Sequence, residues 1–201
     1  MPVEFQFDAD RTLAAVTYIA SKKIPALTTY KLCKLVFLAD KYHLVKYGRI
    51  ITGDRYVAIE HGPVPSHLYD ILKDVVNDGD TYENSPAFKN NLEVDKRFTY
   101  PHLSAKQQFD ANELSLSDVE ALDRAIGRFG KMDFFELKAI THEMRAFQKA
   151  WDDPNRYSNA PVMLYEDFFE EDGDAVRGAF EEMTENDQLR KAFGTPNFQS
   201  E

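Results

Sequence analysis

The sequence predicts a mainly α fold: a compact single-domain helical bundle with a small β-hairpin and a possible second short strand pair. Three observations lead to this prediction. Apolar residues recur at helical spacing in five segments of the chain. The spacing changes from helical to strand-like after Gly48. With 201 residues and 43% hydrophobic content, the chain can bury one sizeable core, and its length gives little reason to expect two.

Two helices are predicted at the start of the chain. The first covers Asp10 to Lys22 and ends before Pro25. The second begins after Thr28 or Thr29 and runs to Lys46, with Gly48 as its stop signal. Apolar residues surround so much of the second helix that it is predicted to be central and packed on more than one side.

A β-hairpin is predicted within residues 49–60, because β-branched and aromatic residues there flank a turn at Thr52 to Asp54. Residues 61–66 contain two prolines and are predicted to be a rigid connector, since proline restricts its own φ and the residue before it. The next helix, Ser66 to Asn77, has the cleanest amphipathic pattern in the chain.

The following stretch, residues 81–112, is polar and rich in turn residues. Strands are expected there only near Lys96 to Tyr100 and Gln107 to Phe109. A capping box at Ser117 to Glu120 then predicts a helix, and Asp133 to Glu136 predicts the start of another that leads to Trp151. These two helices are predicted to form a helical hairpin.

The C-terminal part of the chain is strongly acidic, with ten carboxylates between Glu166 and Asp187. Apolar residues keep partial helical spacing there, which favours acidic surface helices over a disordered tail. We therefore predict one domain over residues 1–160 and an acidic helical extension over residues 161–201, packed on or beside it.

Charge and composition limit the classes of function. A net charge of -10 disfavours direct nucleic-acid binding, since affinity for phosphates comes mostly from Lys and Arg. The longest apolar run, Leu35 to Ala39, is far too short to span a membrane, and no secretion signal is visible. Cys33, the single cysteine, cannot form an internal disulfide. The cytoplasm is the expected location.

No catalytic or metal-binding motif emerges, and no cofactor is predicted. The five histidines include no pair at the i, i+4 spacing of a helical zinc site. A metal site built in space from His61 and His142 with Asp40 or Asp54 stays open, because ligands need not be neighbours in sequence. It would make the protein a metal-assisted enzyme.

The strongest candidates for contact with a partner protein lie between residues 47 and 69, where tyrosines, charges and turn residues alternate. Tyrosine and arginine are enriched at protein interfaces because they combine a large contact area with a polar tip. The alternative is that these residues tie down the edge of the core. The predicted contact residues are Tyr47, Arg49, Asp54, Tyr56, His61 and Tyr69. The acidic C-terminal segment is a second candidate surface.

Four segments resemble, in order, the signatures of the Panacea domain, also called SocA-like or GepA-like. Tyr30 to Asp40 is similar to the family's KLxKLxYxAD helix, with Phe37 where a tyrosine is common. Tyr47 to Asp54 resembles the segment before the family's hairpin. Glu60 to Tyr69 contains its GPV-x-x-x-x-Y signature, and Leu137 to Trp151 its late histidine and tryptophan, with a longer spacer.

This resemblance implies a mostly helical antitoxin that neutralises a protein toxin, encoded by an adjacent gene, through direct binding. Some relatives add a DNA-binding module, and none is evident here. The alternative is a proteolytic adaptor that delivers a bound partner to a protease. Neither the toxin nor any self-association follows from the resemblance.

Overall fold

The computed structural model describes residues 2–106, 113–169 and 177–193. Eight α-helices, one 3-10 helix and two antiparallel strand pairs lie within these ranges. In chain order the elements are α1 (Ala9–Ser21), α2 (Thr29–Tyr47), β1 (Tyr56–Ile59), β2 (Gly62–Pro65), α3 (Ser66–Asn77), α4 (Ser85–Asn91), β3 (Leu92–Asp95), β4 (His102–Ala105), α5 (Leu116–Phe129), α6 (Phe134–His142), α7 (Arg145–Trp151), the 3-10 helix (Tyr165–Phe169) and α8 (Arg177–Phe193). The predicted mainly α class is confirmed.

Helix α2 is the centre of the fold, as predicted. The Thr28 side chain accepts a hydrogen bond from the Lys31 N–H at its start. Gly48 ends it in the left-handed conformation and donates its N–H to the Leu44 carbonyl. Helices α1, α3, α5, α6 and α8 all pack against α2. Twelve of its nineteen residues are buried, which explains why apolar side chains surround it.

The first hairpin differs from the prediction in position. Strand β1 pairs with β2, so the predicted turn at Thr52 to Asp54 is wrong and the predicted rigid connector is itself a strand. Pro63 and Pro65 lie opposite Ala58 and Tyr56. The backbone groups of Ala58 and Tyr56 bond to residues 161 and 163 on the other edge of β1. At these two positions of β2 an N–H group would point away from β1, so a proline there removes no hydrogen bond between the two strands.

The second strand pair is also displaced from its prediction. Strands β3 and β4 flank residues 96–101, where a strand was predicted at Lys96 to Tyr100, and that prediction is wrong. The other predicted strand, Gln107 to Phe109, lies outside the described residues. Helix α4 was not predicted. Leu103 of β4 donates its N–H to the Leu27 carbonyl at 2.7 Å, which ties this strand pair to the loop before α2.

The late helices begin at capping boxes. The box of α5 joins Ser115 and Asp118, two residues earlier than predicted, because the Asp118 carboxylate reaches the Ser115 N–H. The box of α6 joins Asp133 and Glu136, as predicted. The predicted continuation to Trp151 breaks after His142 into two helices, α6 and α7. Helix α5 packs chiefly on α2, and α6 packs on α2 and β2.

Part of the acidic C-terminal segment belongs to the core. Met163, Tyr165 and Phe168 are buried, and the Met163 N–H donates to the Tyr56 carbonyl at 2.9 Å. Helix α8 packs on α2 with Met183 fully buried. The division at residue 160 stays a prediction. In the described ranges, no helix combines the length and apolarity needed to cross a membrane.

Candidate partner-binding groove

The six residues predicted to contact a partner lie in three different places. His61 and Tyr69 line an open groove. Tyr47 and Arg49 lie at the end of α2 and bond to residues of α5. Asp54 and Tyr56 are fully buried. The structure therefore brings only His61 and Tyr69 together as lining of one concave surface.

Asp54 and Tyr56 stabilise the interior. The two Asp54 oxygens accept the N–H groups of His67 and Leu68 at 3.0 and 2.9 Å, which caps the start of α3. The Tyr56 hydroxyl donates to Asp40 at 2.6 Å, and burial raises the pKa of this tyrosine well above its ordinary value. The polar atoms of Asp54 and Tyr56 have hydrogen-bond partners inside the fold. Neither residue therefore belongs to the contact surface that we propose below.

Arg49 belongs to a cluster of nitrogen-bearing side chains around the buried Asp118 carboxylate. Its Nη1 atom lies 3.1 Å from Asp118, with His43 Nε2 at 3.2 Å and Arg11 Nη2 at 3.4 Å. Burial by itself would raise the pKa of Asp118. The hydrogen bonds from His43 and the Ser115 N–H, together with the Arg49 charge, hold it well below its usual range. This cluster joins the end of α2 to the start of α5.

Replacing Asp118 with asparagine should lower the free energy of unfolding at pH 7 by about 2–4 kcal/mol, because the buried site would lose the negative charge that faces Arg11 and Arg49. The pKa of Asp118 is lower in the folded than in the unfolded chain. Its stabilisation is therefore present above about pH 4 and lost as the pH falls. Urea unfolding between pH 7 and pH 2 should show a flatter pH dependence for the variant than for the parent.

The control for this experiment is Glu120→Gln. Glu120 is an exposed carboxylate on α5 that forms an ion pair with Lys46 and accepts hydrogen bonds from Tyr42 and Tyr47. Exposed ion pairs contribute little, so its replacement should change stability less than Asp118→Asn does. If both variants kept the pH dependence of the parent, the assigned role of Asp118 would be contradicted.

The groove has a volume of about 540 Å³ and lies where five parts of the fold converge. These parts are the start of α2, the β1–β2 turn, one face of α3, the turn before β4 and the start of α6. Most of its lining is apolar, and six of its fourteen lining residues carry aromatic rings. The ring-bearing residues are Tyr30, His61, Tyr69, Tyr100, Phe134 and Phe135.

The inner wall of the groove is held in place by contacts among Tyr30, His61 and Phe134. The Tyr30 hydroxyl donates to the His61 carbonyl at 2.8 Å. The Phe134 ring centroid lies 4.5 Å from that of Tyr30 and 5.4 Å from that of His61. Burial raises the pKa of Tyr30, so its hydroxyl stays protonated and remains a donor. These contacts fix α2, α6 and the β1–β2 turn relative to one another.

The rim of the groove carries two aromatic side chains that are largely in solvent. Tyr100 is 74% exposed and Phe135 is 76% exposed. Large apolar side chains grouped on the surface mark interaction sites more often than scattered ones do. Sequence reasoning missed both, and also Tyr30 and Phe134. The sequence did contain a signal for Phe134 and Phe135: the two phenylalanines stand in the first turn after the capping residue Asp133, where polar residues are usual.

The surroundings of the groove do not assemble a reactive centre within the described part of the chain. Cys33 is fully buried, and burial raises its pKa to about 12. In the described ranges no three His, Cys, Asp or Glu side chains are placed to hold a metal ion. The sequence left open a metal site made of His61 and His142 with Asp40 or Asp54. In the structure, both aspartates accept hydrogen bonds from interior N–H groups instead. The groove is built for apolar contact.

Comparison with protein families gives a match over more than half of the chain. The family described as "Antitoxin SocA-like, Panacea domain" matches residues 32–152, from the first turn of α2 to just beyond α7. The matched range includes β1, β2, α3, the turn before β4 and the start of α6, and thus four of the five parts of the groove in full. No curated protein and no solved structure matches the chain.

Proposed function

Because the chain belongs to the SocA-like antitoxin family through its Panacea domain, we propose that it neutralises a protein toxin by binding it directly. The family suggests a non-enzymatic role and a protein toxin as partner. We further propose that an adjacent gene encodes this toxin, and that the protein acts in the cytoplasm without direct nucleic-acid binding.

The observation that carries this proposal is the aromatic groove. Contacts among aromatic side chains join the parts of its inner wall, and its rim exposes Tyr100 and Phe135 from separate elements. Rigid aromatic side chains around a concave surface are typical of interface hot spots, because they bury a large area at a small entropic cost. We propose that one or two apolar side chains of the toxin fill this groove.

Neutralisation by occlusion follows from such a complex. An antitoxin docked through the groove would cover part of the toxin's active surface and keep its substrate away. The net charge of -10 would accelerate association with a basic toxin. That contribution acts mainly on the association rate and weakens as salt is added.

The test combines growth rescue with co-purification. The product of the adjacent gene is expressed with the parent protein, with the double variant Tyr100→Ser and Phe135→Ser, or with the control Tyr157→Ser. Tyr157 is fully exposed and does not line the groove. Parent and control should restore growth and co-purify with the toxin. The double variant should bind at least about 100-fold more weakly, as expected for two hot-spot side chains.

Both substituted side chains are exposed, so thermal unfolding of the double variant should resemble that of the parent. A folded double variant that neutralised the toxin as well as the parent would show that the groove is not the contact surface. A toxin that the parent fails to neutralise would show that the proposed function is wrong. Rescue that persists in a host lacking the major proteases would favour occlusion over delivery to a protease.

A further inference from the structure

The groove continues into a basic corner beside α6. Phe134, Lys138 and His142 are spaced at i, i+4 and i+8, which places them on one face of this helix. The strip runs past the β1–β2 turn: a methyl group added at Gly62 would lie 3.3 Å from His142 Cδ2. His61 on the same turn contacts Phe134. His61, Lys138 and His142, called the basic corner below, therefore adjoin the inner wall of the groove.

Lys34 lies beneath this corner and is fully buried. Its Nζ atom donates to the Pro63 carbonyl at 2.7 Å and lies 4.9 Å from the Tyr30 ring centroid. Burial lowers the pKa of Lys34 well below its ordinary value, and the positive charge of Lys138 acts in the same direction. Lys34 thus meets a carbonyl and an aromatic ring where a carboxylate would usually stand.

The corner also lacks carboxylate partners within the described part of the chain. No described salt bridge includes Lys34 or Lys138. The buried Nε2 atom of His142 has no hydrogen-bond partner among the described residues. Burial lowers the pKa of His142, and the charges of Lys138 and Lys34 lower it further. The charge of Asp152 acts on His142 in the opposite direction, but no described carboxylate forms an ion pair with Lys34 or Lys138. In so acidic a chain, basic side chains that lack an ion pair indicate that their counter-charge comes from outside.

Building on the proposed function, we infer that the basic corner receives a carboxylate of the toxin, while an apolar side chain next to that carboxylate fills the groove. Lys138 and His61 are accessible enough to meet the carboxylate directly. A carboxylate bound above Lys34 would favour the protonated form of this lysine, because charge interactions in the poorly polarisable interior are screened less than in water. The partner segment is thus an aromatic or large aliphatic residue beside Asp or Glu.

A protein carboxylate fits the corner better than a nucleic-acid phosphate does. Nucleic-acid binding draws its affinity from many Lys and Arg residues along a backbone track. The corner offers one accessible lysine and two histidines, on a chain with 34 acidic and 24 basic residues. A single carboxylate needs no extended track of basic residues, because the apolar side chain beside it supplies the remaining contact.

Two small probes test the inference on the full chain. N-acetyl-tryptophan carries an indole beside a carboxylate, and N-acetyl-tryptophanamide is its neutral counterpart. Binding is followed by NMR shifts of the Gly62 and Phe134 amides. The carboxylate probe should bind at least about threefold more tightly than the amide, the size expected for one accessible charge pair.

Lys138→Gln should remove this preference, whereas Lys138→Arg and Lys23→Gln should keep it. Lys23 is exposed and does not line the groove.

Several outcomes would overturn the inference: equal affinities for the two probes, a preference that survives Lys138→Gln, or no binding of either probe at the groove. Displacement of the carboxylate probe by a short single-stranded RNA would also overturn it, in favour of a phosphate ligand. The toxin assay separates this inference from the proposed function. Neutralisation by a parent protein without a carboxylate preference contradicts only the inference, whereas absence of neutralisation contradicts the proposed function whatever the probes show.

Discussion

Replacing Asp40 with alanine should lower the free energy of unfolding by about 3–5 kcal/mol, because several buried donors would lose their acceptor together. Asp40 is fully buried in α2. It accepts hydrogen bonds from the Ile51 and Thr52 N–H groups at 2.7 and 3.3 Å and from the Tyr56 hydroxyl at 2.6 Å. It also accepts one from the Thr52 hydroxyl. The segment before β1 is thereby held on the central helix.

Urea unfolding monitored by circular dichroism would measure this loss. Asp40→Asn keeps the shape of the side chain and one acceptor oxygen, so it should cost less, about 1–3 kcal/mol. Asp153→Ala provides the control: Asp153 is exposed and accepts the Asn155 N–H, and its loss should cost under about 1 kcal/mol. If Asp40→Ala were no more destabilising than Asp153→Ala, the buried network would not hold this segment.

Replacing Gly62 with alanine should lower the free energy of unfolding by about 2–4 kcal/mol and should also weaken toxin binding. Gly62 has φ 99°, which strains any residue with a Cβ by about 1–2 kcal/mol. The added methyl group would lie 2.6 Å from Lys34 Nζ and 2.8 Å from Thr141 Oγ1, and both residues are fully buried. Relieving that overlap would move the turn that carries His61 away from α6.

Gly127→Ala is the matched control for this substitution. Gly127 lies inside α5, and a methyl group there meets no atom within 4 Å. The same change should raise stability by about 0.5–1 kcal/mol, because alanine favours the helix. Thermal or urea unfolding of both variants would show opposite signs. If both variants lost the same amount of stability, the close approach of Gly62 to Lys34 and Thr141 would be contradicted.

Much of the helical framework could be predicted because its signals are local. The predicted bounds of α2 and α3 lie within one residue or so of those observed, since apolar periodicity and caps act within a few turns. Helix α4 escaped prediction because it spans only seven residues in a polar stretch. The β1–β2 pair was misplaced because β2 contains two prolines, which lie opposite Ala58 and Tyr56. The backbone groups of those two residues pair instead with residues 161–163, far away in the chain.

The groove could be predicted only in part. His61 and Tyr69 were identified from their residue types, but Asp54 and Tyr56 have the same polar and aromatic character and lie in the interior. Residue type does not reveal whether a carboxylate accepts interior N–H groups or meets solvent, because the donors come from other segments. Tyr100 was missed for a related reason, since the turn that exposes it was predicted to be a strand.

The sequence by itself determined the family, the acidic charge, the mainly α class and the position of the central helix, because composition, ordered motifs and apolar periodicity are properties of the linear chain. Only the tertiary structure decided that residues 30, 61, 100 and 135 meet around one groove, and that Lys34 and Lys138 lie close together with no ion pair to a carboxylate among the described residues. Those distances depend on how α3, α6 and the strand pairs pack on α2, and no local spacing encodes them.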